Sequence, residues 1–494
     1  MNVPLIFERS RSGHRGYLLP RSVAGAPPVE ELIPDDLRRK RAPRLPEVTE
    51  PEAARHYIHL STLNFHVDKG MYPLGSCTMK YNPKIHEDLA GADRWAGLHP
   101  LAPVEACQGA LELLHRFCLE MSQIMGMDFI SLQPSAGAQG ELLGMKLVRA
   151  YLEDRGEGKK NVLFPDSAHG TNPASVHLAG YVPVEIPSGK DGRIDLDAAR
   201  RRIDGDTAAI IITNPNTLGL FESEMPLIAQ WVHEAGGLVY MDGANLNALV
   251  GWVRPGDLGA DIVHINLHKT FSTPHGGGGP GAGPLGVKQH LVPYLPVPVV
   301  VKDGDRYALD EDRPKSVGKI HPFLGNFGVI LRAWAYMRTL GAEGLSMVSR
   351  AAIVNANYLL HLMKDDFPPA RPGRCMHEFV VTTQPYRKHG VRNMDFAKRL
   401  LDHGFHAPTV SFPLIVPECL MIEPTESERP DTLRRFAAVM KGIAREAAET
   451  PDVLKASPRG TPVGRLDEAS AARTLKLRWR PEEGEDGALR GDPA

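Results

Sequence analysis

The chain has 494 residues, with 57 Lys+Arg against 59 Asp+Glu and a formal net charge of −2. That balance excludes a polybasic grip on nucleic acid or an electrostatic membrane patch, while 23% charged and 42% hydrophobic residues describe a folded chain rather than a disordered one. Glycine (48) and proline (42) exceed ordinary usage without a repeat period, which excludes collagen and places the excess in turns, loops and arms.

The first 75 residues are rich in Pro, Arg and Glu, and Pro27, Pro28, Pro34, Pro43, Pro46 and Pro51 break any long helix. We read them as an N-terminal arm with short helices such as 51–61. MNVPLIFERSRSGHRGYLLP lacks the apolar stretch of a secretory signal. Nowhere do about 18 apolar residues run together, so no membrane span is expected. Residues 105–124 and 137–153 have helical periodicity, with the short strand FISLQ (129–133) between them. NVLFP (161–165), YVPVEIP (181–187), AAIIITN (208–214), LVYMD (238–242) and DIVHINL (261–267) are short apolar runs suited to buried strands. Helices are expected between them at 172–179, 195–203 and 223–235. This alternation predicts a mostly parallel sheet covered on both faces, an α/β fold with a large domain over 76–325. A smaller α+β C-terminal domain is expected over 326–458, with helices at 326–340, 343–365, 393–403 and 431–448 and a strand at 377–384. An extension over 459–494 ends in the acidic, glycine-rich tail 481–494. Five cysteines, Cys77, Cys107, Cys118, Cys375 and Cys419, form no C-x-x-C and are odd in number. Neither a disulfide framework nor a zinc site is expected, and a reducing cytoplasm fits.

The chemistry concentrates at strand ends. In DIVHINLHKTFSTPHGGGGPG (261–281), His268 and Lys269 are expected to emerge from a buried strand, at the carboxyl edge where open α/β proteins bind ligands. A lysine in a partly desolvated pocket becomes a nucleophilic amine, as a Schiff base with an aldehyde cofactor requires. Asp242 ends the strand LVYMD and is followed by Gly243 and Ala244; a carboxylate there can hold the pyridine nitrogen of pyridoxal phosphate protonated. In PSAGAQGE (134–141), the small residues Ser135, Ala136, Gly137 and Ala138 precede or open a helix, an arrangement suited to the cofactor phosphate. His169 in PDSAHGTNPAS (165–175) can stack on the cofactor ring. Asn214 or Asn216 in TNPNTLG (213–219) can bond the cofactor's phenolic oxygen, or simply hold an Asn-Pro turn. The run GGGGPGAG (276–283) reads as a close-packed, flexible loop beside Lys269. Cys77 in GSCTMK lacks a helix N-terminus or adjacent base to activate it and reads as a packing residue.

Together, YPLGSCTMKYNPK (72–84), PSAGAQGE, PDSAHGTNPAS, TNPNTLGLFE (213–222), MDGANLNA (241–248) and NLHKTFSTPHGGGGPG (266–281) resemble the glycine cleavage P-protein family, in its split, two-subunit form. The resemblance covers almost the whole chain apart from 481–494. It implies a type I pyridoxal-phosphate (aminotransferase-like) fold, with pyridoxal 5'-phosphate covalently held as an aldimine on Lys269. Asp242 matches the pyridinium partner and His169 the stacking histidine; Lys269, Ala136, Gly137, His169, Asn214, Asp242, Ala244 and His268 make up the expected cofactor contacts. The implied activity is glycine decarboxylation, releasing CO2 and transferring the aminomethyl group to the lipoamide arm of an H protein. The implied partner is a subunit 1 in an α2β2 assembly. Two other readings stand beside it: another type I enzyme on a small amino acid, such as an aldolase or desulfurase, and a non-catalytic scaffold. A desulfurase needs a cysteine in a mobile catalytic loop, and a scaffold needs neither Lys269 nor Asp242.

Overall fold

The computed structural model describes residues 3–14, 16, 24–41, 43, 45–275 and 281–478. The acidic tail 481–494 and the glycines 276–279 therefore lie outside the described residues. The chain divides into two compact units, one of Met1–His66 with Pro458–Ala494 and one of Val67–Ser457. In the first, the helix Glu50–Leu63 is fastened at its start: the Glu52 carboxylate accepts from the Thr49 backbone N–H and hydroxyl, each at 2.8 Å.

The second unit is built on a seven-stranded sheet: β1 (Phe129–Ser131), β2 (Asn161–Pro165), β3 (Val182–Ile186), β4 (Thr207–Thr213), β5 (Leu238–Asp242), β6 (Ile262–His264) and β7 (Leu285–Val287), in the order β1-β7-β6-β5-β4-β2-β3. The pairs from β3 through β6 are parallel, and β7 runs antiparallel to both its neighbours. Helices α1 (Gln108–Met125), α2 (Gly137–Asp154), α3 (Thr171–Leu178), α4 (Leu196–Arg202) and α5 (Met225–Glu234) intervene. The unbroken apolar runs follow from this arrangement. Strands β5 and β6 are buried at every position, and their alternate residues serve two cores. Ile210, Ile212, Val239 and Met241 pack with α1 and α5 on one face, while Ala209, Ile211 and Tyr240 pack with Leu143 and Leu147 of α2 on the other.

Three local expectations are corrected. Strand β6 stops at His264, and Leu267–Thr270 is a single helical turn, so Lys269 stands on that turn rather than at the strand tip. The antiparallel β7 was hidden in the glycine- and proline-rich stretch after Lys269. A hairpin of β8 (Val299–Asp303) and β9 (Arg306–Asp310) follows it, in a segment with no strong alternation. Beyond these, α6 (Phe327–Met363) breaks at Gly341, whose φ of 64° only glycine adopts readily, so it is two helices as its sequence implies. A three-stranded sheet of β10 (Phe379–Thr382), β11 (Thr409–Val410) and β12 (Cys419–Ile422) packs with α7 (Asn393–Asp402) and α8 (Pro430–Glu449) around Phe396, Leu433 and Phe436.

Helix α2 lies so close to the sheet that a Cβ on Gly144 would come within 2.2 Å of the Tyr240 ring. Gly144→Val is expected to cost about 1–3 kcal/mol by overpacking. Gly442→Ala in α8, with open space around it, is expected to gain about 0.5–1 kcal/mol of helix propensity. Opposite shifts of the urea midpoint check both.

Candidate active site

The carboxyl ends of β4, β5 and β6 and the first turn of α2 enclose a cavity of about 140 Å³, whose lining includes Gly137, His169, Asp242, Lys269, His377 and Glu378. Asp242 is the last residue of β5, paired in register with His264 of β6. Its Oδ1 accepts from the Ala244 N–H at 3.0 Å and its Oδ2 from the Asn172 amide at 3.1 Å, while His264 Nε2 stands 3.5 Å away. Burial works to raise the pKa of this carboxyl, but His264, the Ala244 N–H, Asn172 and Lys269 outweigh it and hold it below the usual range. Asp242 is thus a buried anion. His264 is oriented in turn by the Tyr240 hydroxyl, 2.6 Å from its Nδ1. Glu141 of α2 responds oppositely: burial first, then the Asp242 charge, raises its pKa.

Two lysines meet this region in contrasting states. Lys80 is buried, and its ammonium donates to the Thr270 carbonyl at 2.6 Å, Glu426 at 2.7 Å and Asn247 at 3.1 Å. It therefore pins the turn that carries Lys269. The Thr270 hydroxyl ties the same turn to the chain after β5 by accepting from the Leu246 N–H at 3.0 Å. The Lys269 ammonium faces the cavity, with no hydrogen bond or ion pair among the described residues. His169 lies across the cavity, its Nδ1 2.8 Å from the Thr171 hydroxyl and its ring edge-on to Phe412 at 5.7 Å. Enclosure by the walls lowers its pKa against the pull of Asp242, so the ring is neutral at pH 7.

The residues fit pyridoxal phosphate on the structure's own terms. Buried polar atoms in the lining have no protein partner among the described residues: Thr213 Oγ1, Asn266 Oδ1 and both ring nitrogens of His377. Native interiors rarely tolerate such orphans unless a ligand satisfies them. Helix α2 opens on Ala136, which offers no capping side chain, so its first N–H groups are open to an anion. A Cβ on Gly137 would sit 2.6 Å from Asn266 Oδ1, so only glycine fits there.

Of the residues expected from sequence, the fold brings Gly137, His169, Asp242, Ala244 and Lys269 into the lining, and leaves out Ala136, His268 and both Asn214 and Asn216. Asn214 is turned inward: its amide donates to the Glu222 carbonyl at 3.3 Å and accepts from the Glu222 N–H at 3.0 Å. Asn216 is spent similarly on Gly192 and Glu222. The turn reading of both asparagines is the one the geometry favours. Ala136 is the helix cap, outside the lining. His268 is not in the lining; its ring is edge-on to His275 at 4.8 Å and its buried Nδ1 has no partner among the described residues. Cys77 is half-buried, and burial raises its thiol pKa. Sequence reasoning missed Ser76, Glu141, Asn266, His377 and Glu378. A signal existed for the last two, a His-Glu pair opening an otherwise apolar strand segment.

This sheet order, with a lysine and a carboxylate at its carboxyl edge, defines a type I pyridoxal-phosphate (aminotransferase-like) fold. The crystal structure of a glycine decarboxylase (P-protein) of the glycine cleavage system, in inhibitor-bound form, matches 84% of this chain and 94% of its own, with a TM-score of 0.72 at 21% identity. A cysteine desulfurase from Thermococcus onnurineus NA1 matches 77% of this chain and 97% of its own, at a TM-score of 0.60 and 16% identity. The chain belongs to the glycine cleavage system P-protein family, which matches residues 26–308, with the glycine dehydrogenase C-terminal domain matching 348–458. A probable glycine dehydrogenase (decarboxylating) subunit 2 of Chlorobium chlorochromatii is 54% identical over 97% of this chain and 99% of its own. That of Halalkalibacterium halodurans is 54% identical over 96% and 98%.

Burial and the nearby Glu423 charge push Glu378 up to about 8 from an ordinary 4.5, so the folded state keeps a proton that the unfolded chain loses. Its contribution to stability is complete below about 4.5 and is lost as pH rises through 8. His377, lowered to about 3, stays neutral when folded, so its own contribution rises with pH only up to 6.5 and is flat above. Stability of the cofactor-free protein is therefore expected to fall between pH 6.5 and 8.5. Glu378→Gln should flatten that fall, as urea midpoints across the range would show.

Proposed function

We propose that this protein is the pyridoxal-phosphate-bearing subunit of a glycine decarboxylase. It takes glycine, releases CO2 and passes the remaining aminomethyl group to the lipoamide arm of a carrier H protein. The observation that carries this reading is an unpaired Lys269 amine sharing one cavity with the ionised Asp242, in a chain of this family. Bound pyridoxal phosphate supplies the electron sink for the carbon–carboxylate bond that breaks. Lys269 holds the cofactor through its amine, and its neighbour Lys80 keeps the supporting turn in place. Asp242, fixed by Ala244 and Asn172, would hold the ring nitrogen protonated. His169 would cover the cofactor ring, and the first turn of α2 would receive the phosphate. Glu141, its pKa raised by burial and by Asp242, resists placing a second negative charge beside Asp242.

A second subunit is part of the reading, in an α2β2 assembly. The unit Met1–His66 with Pro458–Ala494 carries exposed Leu32, Leu37, Tyr57 and Ile58, the kind of surface a partner covers. Within the rest we assign 76–325 to cofactor binding and 326–458 to a smaller domain. No described helix is long and apolar enough to cross a membrane, which accords with work in the cytoplasm. The desulfurase reading loses ground because no cysteine lines the cavity among the described residues, and the aldolase reading because the relatives at 54% identity are named probable glycine dehydrogenase subunits.

The test is carboxyl exchange between glycine and labelled bicarbonate, with lipoylated H protein and a candidate subunit 1. Lys269→Ala is expected to abolish exchange, and Asp242→Asn to slow it by about 10²–10³-fold, the scale of losing one preorganised electrostatic partner. Exchange undiminished in Lys269→Ala would overturn the assignment.

A further inference from the structure

We infer that His377 and Glu378 form the carboxylate-binding end of the cavity, a pair of uncharged hydrogen-bond donors that receives the carboxylate of a small amino acid. This deepens the decarboxylase reading and rests on it. His377 is 1% exposed, lines the cavity, and neither ring nitrogen has a partner among the described residues. Glu378 is 3% exposed and accepts from the Ser76 N–H at 2.6 Å on Oε2. Its Oε1 stands 3.9 Å from His377 Nε2, too far for a hydrogen bond between them. Two buried groups thus face the same space as Lys269, side by side and unsatisfied by each other.

Their protonation follows from what surrounds them. Glu423 lies in the same cluster, its ligand atoms within 4.8 Å of the other two. Its carboxylate accepts from the Thr78 N–H at 2.9 Å, the Thr78 hydroxyl at 2.7 Å and the Asn245 amide at 3.1 Å. Burial raises Glu423 as well, to about 7, but those donors hold it below Glu378, which burial and the Glu423 charge push to about 8, so of the two Glu378 is the one that keeps its proton to higher pH. Burial, reinforced by the Lys269 charge, holds His377 near 3. At pH 7 the pair presents a carboxylic O–H and one imidazole N–H.

Uncharged donors also suit the reaction. A carboxylate that leaves as CO2 loses its charge, so a full cation would stabilise the bound substrate more than the transition state and slow the step. No arginine is among the described lining residues. His377 and Glu378 can orient the carboxylate without holding its charge too tightly.

Glycine and methylamine, which differ by that carboxylate, can be titrated into the cofactor-loaded enzyme and followed by cofactor absorbance at equilibrium. His377→Phe and Glu378→Met keep volume and remove the donors. Each is expected to weaken glycine about tenfold or more, the scale of one hydrogen bond to a charged group, while leaving methylamine within about twofold. Glu378→Gln retains a donor and is expected to keep glycine within about threefold. An unchanged glycine-to-methylamine ratio in His377→Phe overturns the inference even if Glu378→Met fails to fold, and so does a Glu378→Gln loss equal to that of His377→Phe. A wild-type protein that takes up no cofactor sinks the decarboxylase reading and this inference with it, whereas an unchanged ratio with normal cofactor uptake sinks this inference alone.

Discussion

The site is organised around one buried negative charge. A carboxylate at the end of a central strand costs several kcal/mol to desolvate unless it is paired or bonded. Asp242 meets that cost with a backbone N–H, an amide and a nearby imidazole. Each depends on the fold: Ala244 on the turn after β5, Asn172 on α3, His264 on the register between β5 and β6. Burial and the Asp242 charge raise the Glu141 pKa in turn, against the hydrogen bond it accepts from Thr171. Shift the sheet register by one residue, and His264 turns to the opposite face.

The opposite side of the cavity follows the same logic with the sign reversed. Lys80 is surrounded by acceptors and cannot act as a nucleophile. Burial disfavours its charge, but Glu426 and Tyr336 outweigh burial and its pKa is raised. Lys269, next to Thr270 in the same turn, has no such partners among the described residues. The difference between a structural and a reactive lysine here is the count of hydrogen bonds, not the residue. Fixing the backbone at Thr270 through Lys80 lets Lys269 remain unpaired yet well placed, the kind of support that keeps a reactive group in productive geometry.

Much of this was legible in the sequence. Apolar runs at 208–214 and 238–242 announced buried strands, and Asp242 and Lys269 announced themselves by standing at strand ends. His169 and Gly137 followed from small-residue and loop motifs on the same edge. What was not legible came from competition that sequence does not rank. Asn214 and Asn216 had equal claims to the cofactor and to the turn, and Glu222, buried nearby, drew both inward. Strand β7 lacked any signal because three residues flanked by glycine and proline do not make a pattern. His377 and Glu378 lie more than a hundred residues from Lys269 in sequence, and only the packing of β10 beside the cavity brings them to it.

The central claim is that Lys269, and not the better-anchored Lys80, carries the cofactor. Loading the protein with pyridoxal phosphate, reducing it with borohydride and mapping the added mass by peptide mass spectrometry tests this most directly. The account predicts a single pyridoxyl mass on the peptide containing Lys269 and none on that containing Lys80. A pyridoxyl group on Lys80, or its absence from the Lys269 peptide after full loading, would contradict it.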